Sequence, residues 1–409
     1  MNKIAKLIKA EEKRQAETLM MIPSENYASK AVREAVGSVL MNKYSEGYSG
    51  KRYYQGNKIV DEIETFAINK AKELFKVEHV NVQPYSGSPA NAEVLFALLN
   101  PGDKITGLKL SSGGHLTHGH PDITFSGKYF KSIQFGTDDS GIIDYDEVAT
   151  LAKKEKPKLM IIGTTAYPLA FDWKRLGEIA DLIGAWFVAD ISHVAGLVLA
   201  GSYPSPVPYC HIVTTTTHKT LRGPRGAIIM VTQKGIEKDP GIPVKIDRAV
   251  FPGLQGGPHN NTTAGIAIAL SEAEGSSFKK YGKQVVNNAK SLAEELKKGG
   301  LNLVAGGTEC HLLVVDLKSR GLGGKEIATV LETAGIITNK NTVPGDKSPF
   351  APSGVRLGTP AITTRGMKEK EMKIIAKWIL EVVKNPTDEK LHRHIAQDVK
   401  NLCKKFPLE

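Results

Sequence analysis

The spacing of hydrophobic positions changes several times along the chain. Short runs at 159–165 (LMIIGTT), 185–190 (AWFVAD), 211–217 (HIVTTTT) and 226–231 (GAIIMV) are apolar or β-branched without polar alternation. Such runs predict strands buried on both faces. Amphipathic stretches lie between several of them, for example WKRLGEIADLIG at 173–184. The alternation runs from about residue 65 to about 235 and predicts a mainly parallel sheet flanked by helices. A longer helical period over 277–299 meets Gly299-Gly300, a helix-stop signal. The pattern then restarts with a strand at 311–317, a helix from about 324, an irregular proline-rich stretch to 360, and C-terminal helices. The expected class is α/β: an N-terminal helical arm (1–23), a large domain built on a mixed, mainly parallel sheet (24–272), and a smaller α+β domain (273–409).

Composition changes this picture little. The chain has 409 residues, 41% hydrophobic and 24% charged, ordinary values for a globular protein. No apolar run is long enough to span a bilayer. The first twenty residues are too densely charged for a signal peptide and read as a surface helix, so the expected compartment is the cytoplasm. Cys210, Cys310 and Cys403 are too few and too scattered for a disulfide framework or a metal site. The net charge of +11 raises the question of nucleic acid, yet the lysines are mixed with acids along amphipathic stretches such as 368–384. Nucleic acid is not the expected partner; acidic small molecules suit the excess charge better.

Four segments carry candidate chemistry. In HIVTTTTHKTLRGPRGAIIMV (211–231), a β-branched strand delivers His218 and Lys219 to its carboxyl end, where open parallel sheets bind ligands. A partly desolvated lysine there can form a Schiff base with an aldehyde, although a lysine on its own reads as an ordinary loop residue. The strand at 185–190 ends in Asp190, with His193 just beyond. A carboxylate there needs a cation or several donors, and a protonated pyridine nitrogen meets that need as well as a helix-capping role does. Ser86-Gly87-Ser88 opens a helical run and offers amides and hydroxyls to an anion, or simply a cap. His115, in SSGGHLTHGH (111–120), lacks the acidic or cysteine company of a metal ligand and suits stacking on a flat ring, or is simply a satisfied loop histidine. Ahead of these, NKYSEGYSGKRYYQGNKIVDEIE (42–64) predicts an ordered loop entering a helix.

Taken together, SENY (24–27), NKYSEGYSGKRYYQG (42–56), NVQPYSGS (81–88), GGHLTHG (113–119), DISHVAGL (190–197), TTTTHKTLRGPRG (214–226), FPGLQGGP (251–258) and SGVRLGTPA (353–361) closely resemble the serine hydroxymethyltransferase family, collinearly over nearly the whole chain. The resemblance implies a fold type I enzyme with an aminotransferase-like large domain. It implies that pyridoxal 5'-phosphate is held as a Schiff base on Lys219, and that the serine hydroxymethyl carbon passes to tetrahydrofolate.

By the same resemblance Asp190 partners the pyridinium nitrogen, and His115 stacks on the ring. Ser86, Gly87 and Ser88 hold the phosphate, joined by Gly257 of a second copy in a homodimer. Thr165 and His193 lie near the phenolic oxygen. Arg356 clamps the amino-acid carboxylate, a task suited to its planar fork. Glu46 moves a proton at the substrate hydroxyl, with Tyr44, Tyr54 and Ser24 lining the pocket, and Glu46 and Tyr54 are given in trans. Leu110, Gly114, Leu116 and Asn341 receive the pterin.

The chain departs from the family pattern in four places: Pro89 in SGSPAN, Thr165 in TAYP (165–168), the stretch 258–270, and a shortened loop at 339–350. The last lies beside Asn341 and leaves a methanopterin-type carrier as the alternative. Two other readings compete. A threonine aldolase would need Lys219, Asp190 and Arg356 without a pterin pocket. A non-catalytic scaffold or RNA-binding relative is suggested only by the charge.

Overall fold

The computed structural model describes residues 2–348 and 350–408. They fall into two compact units, one within Ala28–Asp138 and Ile143–Gly282, the other within Met1–Tyr27, Asp139–Ile142 and Lys283–Glu409. The division falls inside the helix Ser276–Lys298, and the N-terminal helix Lys3–Glu17 belongs with the second unit.

The first unit is built on seven strands: β1 (His79–Asn81), β2 (Lys104–Gly107), β3 (Lys131–Ser132), β4 (Leu159–Gly163), β5 (Trp186–Asp190), β6 (Ile212–Thr216) and β7 (Ala227–Val231). Their order across the sheet is β1-β7-β6-β5-β4-β2-β3. Every pair is parallel except those of β7, which runs antiparallel to both β1 and β6. The unbroken apolar runs noted in the sequence become β4, β6 and β7, and all their residues are buried. Helices supply the cover. The helix α1 (Lys58–Phe75) turns Val60, Glu64, Ala67, Ala71 and Phe75 inward, a stripe at helical spacing that contains one carboxylate. Helix α2 (Gly87–Leu98) packs Ala90, Val94 and Leu95 among Ile105, Leu159, Ile161, Val188, Ile212 and Ile229. Each fully buried Leu, Ile or Val of that cluster contributes about 1.5–3 kcal/mol.

The registers Gly163↔Asp190 and Asp190↔Thr214 bring the carboxyl ends of β4, β5 and β6 side by side. That edge is where the candidate residues gather. Pro89 stands third in α2, inside the first turn, whose amides have no carbonyl to bond within the helix. Its missing N–H therefore breaks no bond of the helix.

The second unit holds an antiparallel sheet in the order β8 (Asn302–Leu303), β9 (Leu312–Asp316), β11 (Gly354–Gly358), β10 (Asn339–Asn341). Its core includes Leu313, Val315, Val355, Leu357, Ile375, Ile379 and Val382. Arg365, almost fully buried, donates to the carbonyls of Gln15, Ala16 and Thr18 on one side and of Cys403 and Phe406 on the other. The terminal helices are tied together through that one guanidinium. Cys210, Cys310 and Cys403 are free and buried, and no helix among the described residues is long and apolar enough to cross a membrane.

One residue of α2 works against the fold. Glu93 is fully buried, and neither of its carboxyl oxygens has a hydrogen-bond partner. Burial alone lifts its carboxyl from 4.5 to about 8. Folding therefore retains a proton that the unfolded chain releases, so this group costs stability progressively as pH rises from 4.5 to about 8. At pH 7 the cost is about 3 kcal/mol. We predict that Glu93→Met raises the thermal midpoint by several degrees at pH 8 and much less at pH 5. An equal gain at both pH values, read by differential scanning fluorimetry, would show that Glu93 does not titrate this way.

Candidate active site

Asp190 is the charged centre of the strand-end edge. Its Oδ2 accepts from Asn91 Nδ2 at 2.9 Å and from His118 Nε2 at 3.0 Å, and its Oδ1 accepts from the Ser192 amide at 3.0 Å. Burial opposes a charge here, but the His118 hydrogen bond and the two neighbouring imidazoles outweigh it, holding the carboxyl well below the usual range. A carboxylate has about four acceptor positions, and the three named donors leave Oδ1 able to take one more. An N–H on a flat cationic ring fits that opening.

Asn91 is itself over-determined. Its Oδ1 accepts from Thr214 Oγ1 at 2.7 Å, and its Nδ2 also donates to Thr117 Oγ1 at 2.8 Å. The Thr117 amide donates to His115 Nδ1 at 3.2 Å, and its hydroxyl lies 2.7 Å from the same nitrogen. His115 Nδ1 is thus an acceptor, which leaves Nε2 to carry the ring proton. Burial first, and the nearby His118 second, push His115 down to about 4, so its imidazole is neutral at working pH.

Lys219 lies on the turn between β6 and β7, with its Nζ donating to Thr216 Oγ1 at 2.7 Å. Several bonds fix that turn: Thr217 N donates to Gly226 O, Gly223 N to Thr217 O, and Thr217 Oγ1 to Pro224 O. Thr220 joins it to the turn after β5, donating to His193 O at 2.9 Å and accepting from Gly196 N at 3.0 Å. His218, beside Lys219, is pushed down to about 3 by burial and by the lysine charge, and so stays neutral.

Ser86 caps α2 without using its hydroxyl for the helix, which leaves that hydroxyl and the first amides for an oxyanion. A Cβ on Gly87 would stand 2.6 Å from Thr216 Cγ2, so only glycine lets this turn approach β6. A flat ring between His115 and Asp190 with a phosphate at this helix end matches the donors present, so the residues fit pyridoxal phosphate. Gly113, at φ +95°, lies against Tyr167 N, and Thr165 Oγ1 donates to Gly114 O at 2.8 Å. The threonine thus retains a hydroxyl function while fixing the double glycine that precedes His115. Leu110 is half-buried and Leu116 is exposed on either side of that turn.

Tyr44, Glu46 and Tyr54 form a second cluster in this unit. The two tyrosine rings lie 5.2 Å apart, edge to face. A Cβ on Gly256 would be 3.2 Å from Glu46 Oε1, and one on Gly257 would be 3.0 Å from the Tyr44 ring. The Glu46 charge, ahead of burial, raises the Tyr54 hydroxyl's pKa. Tyr85, next to Ser86, donates to Gly257 O at 2.8 Å and stacks on His259 at 4.1 Å.

Three expected residues belong to the other unit. Arg356, on β11, is buried and donates to Asn339 Oδ1 at 3.1 Å. Burial draws it down to about 10, which leaves it protonated at neutral pH. Asn341 ends β10 and donates to Thr342 O at 2.7 Å, while Ser24 lies half-buried just after the short strand Leu19–Met20. Of the loop at 339–350, Pro349 lies outside the described residues.

Sequence reasoning had passed over Asn91, Thr117, His118, Ser192, Thr214 and Thr216. Asn91 and His118 sat inside the motifs SGSPAN and GGHLTHG, where only the neighbouring residues drew attention. The available signal was a polar side chain on an otherwise apolar helix face at Asn91, which must find partners when buried.

The family model for serine hydroxymethyltransferase matches residues 1–379. A protein named serine hydroxymethyltransferase from Desulfotalea psychrophila is 53% identical over 405 residues, covering 99% of this chain and 93% of its own. One of the same name from Acidothermus cellulolyticus is 53% identical over 412 residues, covering 99% and 95%. Another, from Sorangium cellulosum, is 51% identical over 406 residues, covering 99% and 94%. With its sheet, its buried aspartate and its strand-end lysine arranged as described, the chain belongs to the serine hydroxymethyltransferase family.

Proposed function

We propose that this chain transfers the hydroxymethyl carbon of serine reversibly to tetrahydrofolate, giving glycine and 5,10-methylenetetrahydrofolate, with pyridoxal 5'-phosphate held on Lys219. The observation that carries the reading is Asp190, a buried carboxylate with one acceptor position open at the strand end that also presents Lys219. Bound pyridoxal phosphate supplies the electron sink for the pair left when the Cα–Cβ bond breaks. Asp190 keeps its charge throughout and holds the ring-nitrogen proton. Neutral His115 offers its flat face, and His118 and Asn91 keep the Asp190 carboxylate from turning. Ser86, Gly87 and Ser88 receive the phosphate, with Gly257 of a second copy completing the site. Thr165 and His193 lie toward the phenolic oxygen.

Lys219 would hold the cofactor through its aldehyde; Thr216 Oγ1 accepts from the lysine amine, and His218, neutral beside it, adds no charge. Arg356 binds the amino-acid carboxylate bidentately, and its depressed but still high pKa keeps it charged. Glu46, flanked by Tyr44 and Tyr54, moves the proton at the serine hydroxyl, and Ser24 is assigned to substrate binding. Leu110, Gly114, Leu116 and Asn341 receive the pterin. Because Glu46 and Tyr54 act in trans, the working form is a homodimer with shared sites. The three buried free cysteines suit a reducing compartment, and the cytoplasm is the one expected. Cleavage of other 3-hydroxy amino acids without pterin is an expected side activity, since it shares the bond-breaking step.

Three outcomes test this reading. Glycine added to the holoenzyme should give a strong long-wavelength absorption band only once tetrahydrofolate is present; a band of equal strength without it would count against the ternary site. Glu46→Gln should cut tetrahydrofolate-dependent serine cleavage to a small but measurable residual rate while serine still perturbs the cofactor spectrum, and an unchanged cleavage rate would refute the role given to Glu46. Asp190→Asn should lower kcat by about 100-fold or more, because the ring proton loses its counter-charge. A loss under about threefold would show that Asp190 serves the fold alone.

A further inference from the structure

The loop that carries Glu46 is held by a buried cation that no motif explains. Arg52, with its side chain 3% exposed, donates to three acceptors and forms an ion pair with a fourth group. Its Nη1 donates to Ser45 O at 3.0 Å and to Gly47 O at 2.7 Å, the carbonyls on either side of Glu46. Its Nε donates to Asp61 Oδ1 at 2.8 Å, and its Nη2 lies 3.0 Å from Glu64 Oε1. Asp61 and Glu64 both come from α1, and Glu64 is the carboxylate in that helix's buried stripe. Gln83 closes the arrangement, its Nε2 donating to Gly47 O at 3.0 Å and to Glu64 Oε2 at 2.9 Å. Tyr53 N donates to Glu46 O at 3.0 Å, so three successive carbonyls, 45 to 47, are all fixed. Gly47 takes φ +97°, and a Cβ there would collide with Lys51 O, so only glycine fits directly after Glu46.

The Glu46 side chain is only half-buried, so packing does little to aim it. Beyond its hydrogen bond with the Tyr54 hydroxyl, its direction comes from the backbone on both sides, which is what the guanidinium grips. We infer that Arg52, braced by Glu64, Asp61 and Gln83, is a positioning residue that aims Glu46 by clamping the carbonyls of Ser45 and Gly47. The inference rests on the reading of Glu46 as the proton-handling group. A lysine keeps the charge that buried Glu64 needs but cannot span both carbonyls and both carboxylates, since it lacks the planar fork.

The test is a double-mutant cycle on the holoenzyme: wild type, Arg52→Lys, Glu46→Gln and the double variant, each checked for fold by circular dichroism and for assembly by sedimentation. The readouts are kcat for tetrahydrofolate-dependent serine cleavage and KM for serine. If Arg52 works through Glu46, Arg52→Lys lowers kcat about 10- to 100-fold and moves KM less than about threefold, as a displaced catalytic group does. It then adds no more than about twofold to the loss already present in Glu46→Gln. A loss that multiplies with Glu46→Gln overturns the inference and leaves the Glu46 reading standing. A Glu46→Gln enzyme as fast as wild type overturns both. Should Arg52→Lys fail to fold, Gln83→Met removes one donor from Gly47 O and one from Glu64 Oε2 while leaving Arg52 and the net charge of the cluster in place. It should lower kcat about 2- to 5-fold in the wild type and not in the Glu46→Gln background; no loss in the wild type overturns the inference.

Discussion

A single carboxylate kept charged inside the protein organises the larger unit. Removing Asp190 from water opposes its charge, and the fold answers with donors from three directions: α2 through Asn91, the glycine-histidine turn through His118, and the turn after β5 through the Ser192 amide. Each donor is in turn held by something else. Thr214 on β6 fixes Asn91, and Thr117 links Asn91 to His115. Moving any one of these elements would leave a buried polar group unpaired, so the whole strand-end edge shifts together or not at all.

The departures from the family pattern make sense against this arrangement. Pro89 falls in the first turn of α2, where the helix has no use for its amide. Thr165 keeps a hydroxyl that bonds the Gly114 carbonyl. Glu93 is different: its oxygens are buried without partners on the helix that bears Asn91, and nothing in the structure compensates for them. The fold tolerates that load because α2 is held at both its apolar face and its polar end.

Two ways of placing a functional side chain coexist in one unit. Asp190, at the end of a central strand, is placed by side-chain bonds to itself. Glu46 lies on a loop and is half-exposed, so its position depends on bonds to the main chain around it. The first kind withstands solvent because it is buried, while the second needs a buried anchor elsewhere, which Arg52 and Glu64 provide.

The sequence by itself determined the elements and most of the candidate residues. Fully apolar runs can be stable only when covered on both faces, so β4, β6 and β7 were legible, as were the helices Trp173–Leu182 and Ser276–Lys298 from their period. Lys219, Asp190 and Ser86 stood out because their types at strand ends and helix starts carry chemistry. What only the tertiary structure decided is who holds them. Thr214, Asn91, Thr117 and His118 meet across separations of up to 123 residues. Arg52 reaches Gln83's neighbour Glu64 only after α1 has packed, and no local period encodes such a meeting. Sequence patterns report which face of an element is buried; the partner across the gap is fixed by sheet order and register, which arise when distant segments pack.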